Sequence, residues 1–153
     1  MPSILVIEDD GNKLNQLCTF LADRFPIATV VTCPSLHSGI KQVRARLPSL
    51  VLLDMTLPNF DATPDDAGGI THNFGGIEFL KQLERFDIRV PVIVVTQFTT
   101  FGRGANTKTL DDLDEQMRVS FSENYVGSVY YHASIHRWKD DLAKLIELNL
   151  PSC

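Results

Sequence analysis

The sequence has 153 residues, 44% hydrophobic and 22% charged, which suits one soluble globular domain with a sizeable core. The net charge of −5, with no Lys/Arg cluster, argues against a nucleic-acid partner. Apolar runs of four or five residues are too short to span a membrane. The three cysteines form no metal-binding pattern, so reduced thiols and a cytoplasmic location are expected.

Short apolar runs of β type alternate with segments of helical period along the whole chain. Strands are predicted at 3–8, 27–32, 49–54, 90–96 and 127–131. The apolar faces of the first, second and last helices are, in order, Leu14, Leu17, Leu21 and Phe25; Leu36, Ile40, Val43 and Leu47; and Ile135, Trp138, Leu142, Leu145 and Ile146. Ser35 and Ser134 are the expected starts of the second and last helices, and the other two helices are predicted at 76–86 and 109–121.

Five strands that alternate with five helices predict parallel βαβ units and a doubly wound five-stranded sheet of order 2-1-3-4-5. We expect one domain over 1–153, with two long connections at about 58–76 and 97–108. The first holds four of the nine glycines and no apolar period. Loops of this length are usually functional or mobile, and the first is predicted to be a mobile flap beside the site described next.

Acidic side chains stand at the carboxyl ends of two predicted strands, with Glu8 and Asp9 after the first and Asp54 after the third. In a doubly wound sheet these ends meet at one edge, where ligands bind. Clustered carboxylates repel one another and need a cation, and oxygen ligands without His or Cys favour Mg²⁺. Asp10, one place further on, is better explained as a helix N-cap.

The stretches "ILVIEDDGNKL", "LVLLDMTLP" and "VPVIVVT" together resemble the receiver domain of two-component response regulators, over about residues 3–149. The resemblance implies a flavodoxin-like (βα)5 fold and a phosphoacceptor role for Asp54. It implies Mg²⁺ as cofactor, held by Glu8, Asp9, Asp54 and the backbone carbonyl of Thr56. Thr96, at the end of the fourth strand, would be the switch hydroxyl that turns toward the phosphoryl group.

The chain departs from the receiver pattern at the end of the final strand, where that family carries a lysine that pairs with the phosphoryl group. Counting back from the last helix puts Tyr131 at the lysine position, and a slip of one residue would give Tyr130 or His132. A phenol carries no charge at pH 7, so the phosphorylated state is expected to be less stabilised. Lys139 is the nearest lysine in sequence, but it lies inside the predicted helix.

Two further positions also depart from the family. Ser128 occupies the position of the aromatic switch residue, and Gln97 replaces the small residue after the switch threonine, which predicts a crowded pocket. His132 and His136 are spaced i, i+4, but two polar residues around a helix start are the preferred explanation over a metal pair.

The favoured function is a stand-alone response-regulator receiver that takes a phosphoryl group from a histidine kinase or histidine phosphotransferase. It would signal through an unknown downstream protein, with autocatalytic transfer to Asp54 as its only chemistry; a homodimer is left open. The first alternative is a degenerate receiver that acts as a phosphorylation-independent interaction module. The second is an α/β phosphoaspartyl hydrolase, which "DMTLP" loosely suggests, although Thr56 replaces the acid–base aspartate of that class.

Overall fold

The chain is organised around a central parallel sheet. The computed structural model describes residues 2–58, 74–101 and 104–150. The sheet strands are β1 (Ser3–Ile7), β2 (Thr29–Cys33), β3 (Leu50–Leu53) and β4 (Val92–Thr96), a short antiparallel pair is β5 (Thr100–Phe101) and β6 (Lys108–Thr109), and the last sheet strand is β7 (Tyr125–Tyr130). The helices are α1 (Gly11–Arg24), α2 (Leu36–Ala45), α3 (Gly75–Arg85), α4 (Leu110–Ser120) and α5 (Arg137–Asn149).

The strand order β2-β1-β3-β4-β7 confirms the predicted doubly wound, flavodoxin-like topology. Neighbouring strands are parallel throughout this sheet. Every residue of β3 and β4 is buried, which explains why these strands read as continuous apolar runs. One hydrophobic cluster lies on the side of α2, α3 and α4, and a second lies on the side of α1 and α5.

Helix ends account for the errors in the predicted core. Leu47 is 58% exposed because α2 ends at Ala45 and the backbone is already extended at Arg46. Ile135 is 59% exposed, since it pairs with His132 in an isolated bridge and α5 begins only at Arg137. In both cases the helical period was extended past the point where the helix exists.

The structure describes the second of the two predicted long connections better than the first. The predicted flap at 58–76 lies outside the described residues except at its two ends. Within 97–108, Thr100 and Phe101 pair with Thr109 and Lys108, and Phe101 is buried. The second connection therefore contains a small hairpin that sends a side chain into the core.

Gly75 and Gly76 fix the start of α3 against the loop that follows β3. A Cβ on Gly75 would lie 2.9 Å from the Leu57 carbonyl oxygen, and one on Gly76 would lie 3.0 Å from the Met55 Cα. The Gly76 amide donates to the Met55 carbonyl at 2.9 Å. Only glycine permits this approach, which holds the backbone just after Asp54.

Candidate functional site

Three carboxylates meet where β1 and β3 end. Oxygen atoms of Glu8, Asp9 and Asp54 all lie within 4.8 Å of one another, and they form the one group with metal-ligand spacing in the described part of the chain. Register explains the meeting, because the Asp54 amide donates to the Ile7 carbonyl at 3.0 Å. Glu8 and Asp54 are buried, whereas Asp9 is exposed. The donor set contains only hard oxygens, which fits Mg²⁺.

Neighbouring residues complete the rim of this cluster. Asp10 caps α1 by accepting from the Asn12 amide at 3.0 Å, as predicted. The Thr56 hydroxyl donates to Asp54 Oδ2 at 3.4 Å. Thr96 is fully buried at the end of β4, and its Oγ1 accepts from the Phe98 amide at 3.2 Å. Accepting this bond leaves the Thr96 hydroxyl proton available to another acceptor.

Sequence reasoning missed Lys13, the third residue of α1. Its side chain is 1% exposed, and its Nζ lies 2.5 Å from Glu8 Oε1 and 3.3 Å from Asp54 Oδ1. Nζ also donates to the Val95 carbonyl at 2.6 Å. The prediction considered only lysines close to Tyr131 in sequence, of which Lys139 is the nearest, and it did not consider that Lys13 of α1 brings an ammonium to Glu8 and Asp54. One signal was present, since Lys13 lies four residues before the buried Leu17 on the same helix face.

Tyr131 lies at the carboxyl edge of the sheet, directly after β7. Its amide donates to the Thr96 carbonyl at 2.8 Å, and its ring packs against Trp138 with 5.1 Å between centroids. The ring centroid is 5.9 Å from Lys13 Nζ. The Tyr131 hydroxyl is buried and has no hydrogen-bond partner among the described residues. Burial raises the pKa of this phenol, so it is neutral at pH 7.

An irregularity in β7 brings Ser128 beside an aromatic residue that the sequence did not indicate. Val92 pairs with Tyr125 but Ile93 pairs with Gly127, so one extra residue shifts the alternation of side chains. The hydroxyls of Tyr125 and Ser128 are hydrogen-bonded, and the Tyr125 hydroxyl also donates to Asp114 of α4. The aromatic ring on this face thus comes from Tyr125.

The remaining predicted positions are on the surface. Gln97 is exposed, and its crowding of the pocket stays a prediction. His132 and His136 are both exposed, and the His132 Nδ1 accepts from the Ser134 amide at 3.1 Å. This local turn agrees with the preferred explanation of two polar residues before a helix.

Burial dominates the electrostatics of the cluster. It raises the pKa of Glu8 from 4.5 to about 8, an effect that Lys13 opposes and Asp54 reinforces. Burial and the Asp54 charge also raise the pKa of Asp9. Ionising the whole cluster is therefore unfavourable without a cation, which is the electrostatic condition for binding a metal ion.

This condition predicts a pH dependence of stability in chelator-treated protein. Unfolded Glu8 ionises near pH 4.5 while folded Glu8 keeps its proton to about pH 8, so the folded state binds more protons between these values. The free energy of unfolding should then fall as pH rises from 5 to 8, by up to about 1.4 kcal/mol per pH unit. Urea denaturation of Glu8→Gln should show a flatter profile, and the exposed Glu84→Gln should match wild type. Equal slopes in all three would contradict this account.

Fold and site together define a class: a doubly wound α/β domain with an acidic cluster at the carboxyl edge of its sheet. The model for the response regulator receiver domain matches residues 4–111, so the chain belongs to the receiver domain family. This match covers Glu8, Asp9, Asp54 and Thr96, and it ends before β7.

Two relatives match nearly the whole chain. The chain is 33% identical to protein y4jR of Sinorhizobium fredii over 138 residues, 88% of this chain and 90% of that one. It is 28% identical to the Detocs response regulatory protein DtcB of Enterobacter cloacae over 145 residues, 94% and 97% of the two chains.

Solved structures agree in fold. The phosphorylated cyanobacterial phytochrome response regulator RcpA superposes with a TM-score of 0.64 at 19% identity, covering 99% of both chains. The receiver domain of a LuxO-type repressor from Vibrio parahaemolyticus also gives 0.64 at 19% identity, over 97% of this chain and 88% of that one. In the part of the chain that the structure describes, no helix is both long and apolar enough to cross a bilayer.

Proposed function

We propose that this chain accepts a phosphoryl group on Asp54 and signals through contact with another protein. The observation that carries the proposal is the environment of Asp54: a carboxylate only 5% exposed, at a strand end, next to two further carboxylates and one ammonium. A lone turn-forming aspartate needs no such surroundings. The donor is a histidine kinase or histidine phosphotransferase, the partner class of the receiver family.

The transfer step needs no protein proton. An oxygen of the Asp54 carboxylate forms a bond to phosphorus while the bond between phosphorus and the donor imidazole nitrogen breaks. The electron pair of that bond stays on the ring nitrogen, and because the second ring nitrogen of the donor carries a proton, the donor leaves as neutral imidazole. Because transfer requires alignment and charge neutralisation more than covalent assistance, the groups around Asp54 set its rate.

Glu8, Asp9, Asp54 and the Thr56 carbonyl are the residues that would hold Mg²⁺. When bound, the ion supplies positive charge to the phosphoryl oxygens. Glu8 and Asp9 differ in their surroundings. Glu8 is buried and held between Lys13 and the Asp10 amide, whereas Asp9 is exposed to solvent. Asp9 would therefore be the ligand most accessible to a hydrated ion from solvent.

The response to phosphorylation would begin at Thr96. Thr96 ends β4, the strand next to β3, and turning its hydroxyl toward the phosphoryl group would alter the bond that Oγ1 accepts from the Phe98 amide. The rings of Phe98 and Phe101 pack edge to face, with 6.5 Å between their centroids. The Leu110 amide at the start of α4 donates to the Thr99 carbonyl. Movement at Thr96 would thus reach the hairpin of β5 and β6 and helix α4, and we propose these two elements as the surface that contacts the partner.

One observation favours the alternative of a phosphorylation-independent module. Lys13 already places its ammonium against Glu8 and Asp54 without metal or phosphate. In that case the same hairpin and α4 surface would be presented constitutively.

A phosphodonor assay separates the two functions. Wild type incubated with Mg²⁺ and acetyl phosphate should gain one phosphoryl group by mass spectrometry, with acetate leaving on cleavage of its P–O bond. Asp54→Asn should gain none. The matched control is Asp87→Asn, an aspartate in the turn after α3, which should label like wild type. Absence of label on wild type, from acetyl phosphate and from phosphoramidate alike, would favour the constitutive module.

A further inference from the structure

The ammonium of Lys13 is held by acceptors on three different strand ends. Nζ lies 2.5 Å from Glu8, 2.6 Å from the Val95 carbonyl and 3.3 Å from Asp54. These three contacts match the three N–H donors of an ammonium. With the side chain 1% exposed, its position is fixed by the fold.

The contact to Asp54 is the longest of the three. At 3.3 Å it lies beyond the usual length of a charge-assisted hydrogen bond, whereas the contacts to Glu8 and Val95 are short. The ammonium is thus anchored by two partners and turns its third donor toward Asp54. A phosphoryl group on Asp54 adds negative charge and stronger acceptor oxygens at this location.

A second observation comes from β7. At the predicted lysine position, Tyr131 packs its ring near Trp138 and Lys13 and leaves its hydroxyl without a partner among the described residues. It contributes packing and no charge. The lysine that the pattern requires is absent from β7, and a buried lysine from α1 contacts the acceptor carboxylate instead.

We propose that Lys13 takes over the role of the missing strand lysine and pairs with the phosphoryl group on Asp54. The positive charge has moved from the end of β7 to the first turn of α1, and Tyr131 fills the space left behind. This inference rests on the proposed function, since it concerns the phosphorylated state of Asp54.

Three variants test it in the same acetyl phosphate assay with Mg²⁺. Lys13→Met keeps the chain length and removes the charge, so labelling of Asp54 should slow by at least about tenfold. Lys13→Met with Tyr131→Lys returns an ammonium to β7 and should recover a substantial part of the loss. Lys41→Met, at an exposed lysine of α2, should label like wild type.

Affinity for beryllofluoride, a phosphoryl mimic that binds without transfer, gives a second readout by fluorine NMR. It should weaken by a similar factor in Lys13→Met, and circular dichroism reports whether that variant is folded. If Lys13→Met is unfolded, Lys13→Gln and Lys13→Arg take its place, with Arg expected to retain more affinity than Gln.

The outcomes distinguish the two proposals. In one outcome, wild type labels, Asp54→Asn does not, and folded Lys13→Met has the labelling rate and beryllofluoride affinity of wild type. This outcome overturns the proposed role of Lys13 and leaves phosphorylation of Asp54 standing. Failure of wild type to label or to bind beryllofluoride overturns phosphorylation of Asp54 and the Lys13 inference with it. Slow labelling of Lys13→Met with recovery in the double variant supports both.

Discussion

Lys13→Met should lower the free energy of unfolding of the metal-free protein by about 3–5 kcal/mol at pH 8, the usual cost of removing one partner from a buried ion pair. Glu8 and Asp54 are 2% and 5% exposed, so water cannot replace the ammonium. The loss should be smaller at pH 6, because the raised pKa of Glu8 lets that carboxyl stay protonated. Urea denaturation in the presence of a chelator measures both values.

Two controls isolate the charge. Glu8→Gln in the Lys13→Met background removes one of the stranded carboxylates and should recover much of the stability, as expected for contacting residues. Saturating Mg²⁺ should stabilise Lys13→Met more than wild type, since the ion replaces the lost cation. A Lys13→Met protein as stable as wild type at both pH values, with no extra response to Mg²⁺, would show that the ammonium is not needed there.

The carboxylate cluster could be predicted from sequence for a simple topological reason. Glu8, Asp9 and Asp54 end parallel strands, and the carboxyl ends of adjacent parallel strands share one edge of the sheet. Given the doubly wound order 2-1-3-4-5, which the structure confirms, β1 and β3 are neighbours. Their meeting therefore depended on the pattern of elements and not on the conformation of any side chain.

Lys13 could not be found in the same way, because its role depends on direction. Side chains of a helix tilt toward its N-terminus, so a residue in the first turn of α1 leans back over the strand ends. In sequence, Lys13 follows the polar Asn12, and a lysine in such a position is usually exposed to solvent. The apolar stripe was assigned through Leu14, which is only half-buried, while the buried face runs through Lys13, Leu17 and Phe20.

Tyr125 was missed for a different reason. Strand alternation assigns faces only while the register is regular, and the extra residue between Tyr125 and Gly127 reverses the parity. The sequence shows a serine, Ser128, at the predicted position of the aromatic switch residue, and it does not indicate that Tyr125 places an aromatic ring beside it. Its hydroxyl links Ser128 to Asp114, which joins β7 to α4.

The position of Lys13 changes what a lysine at position 131 should do. In an otherwise wild-type chain, Tyr131→Lys should lower the free energy of unfolding by about 3 kcal/mol or more, because it removes a ring packed on Trp138. It also brings a second ammonium beside Lys13, whose Nζ is 5.9 Å from the present ring centroid. The phosphorylated fraction should not rise above that of wild type.

In the Lys13→Met background the same substitution should cost less, because the repulsion between two ammonium groups is gone. A double-mutant cycle by chemical denaturation should give a favourable coupling of about 0.5–3 kcal/mol. Tyr131→Phe is the matched control: it keeps the ring, removes a hydroxyl without a described partner, and should be neutral or slightly stabilising. Additive effects of Lys13→Met and Tyr131→Lys would mean that positions 13 and 131 do not supply charge to the same site.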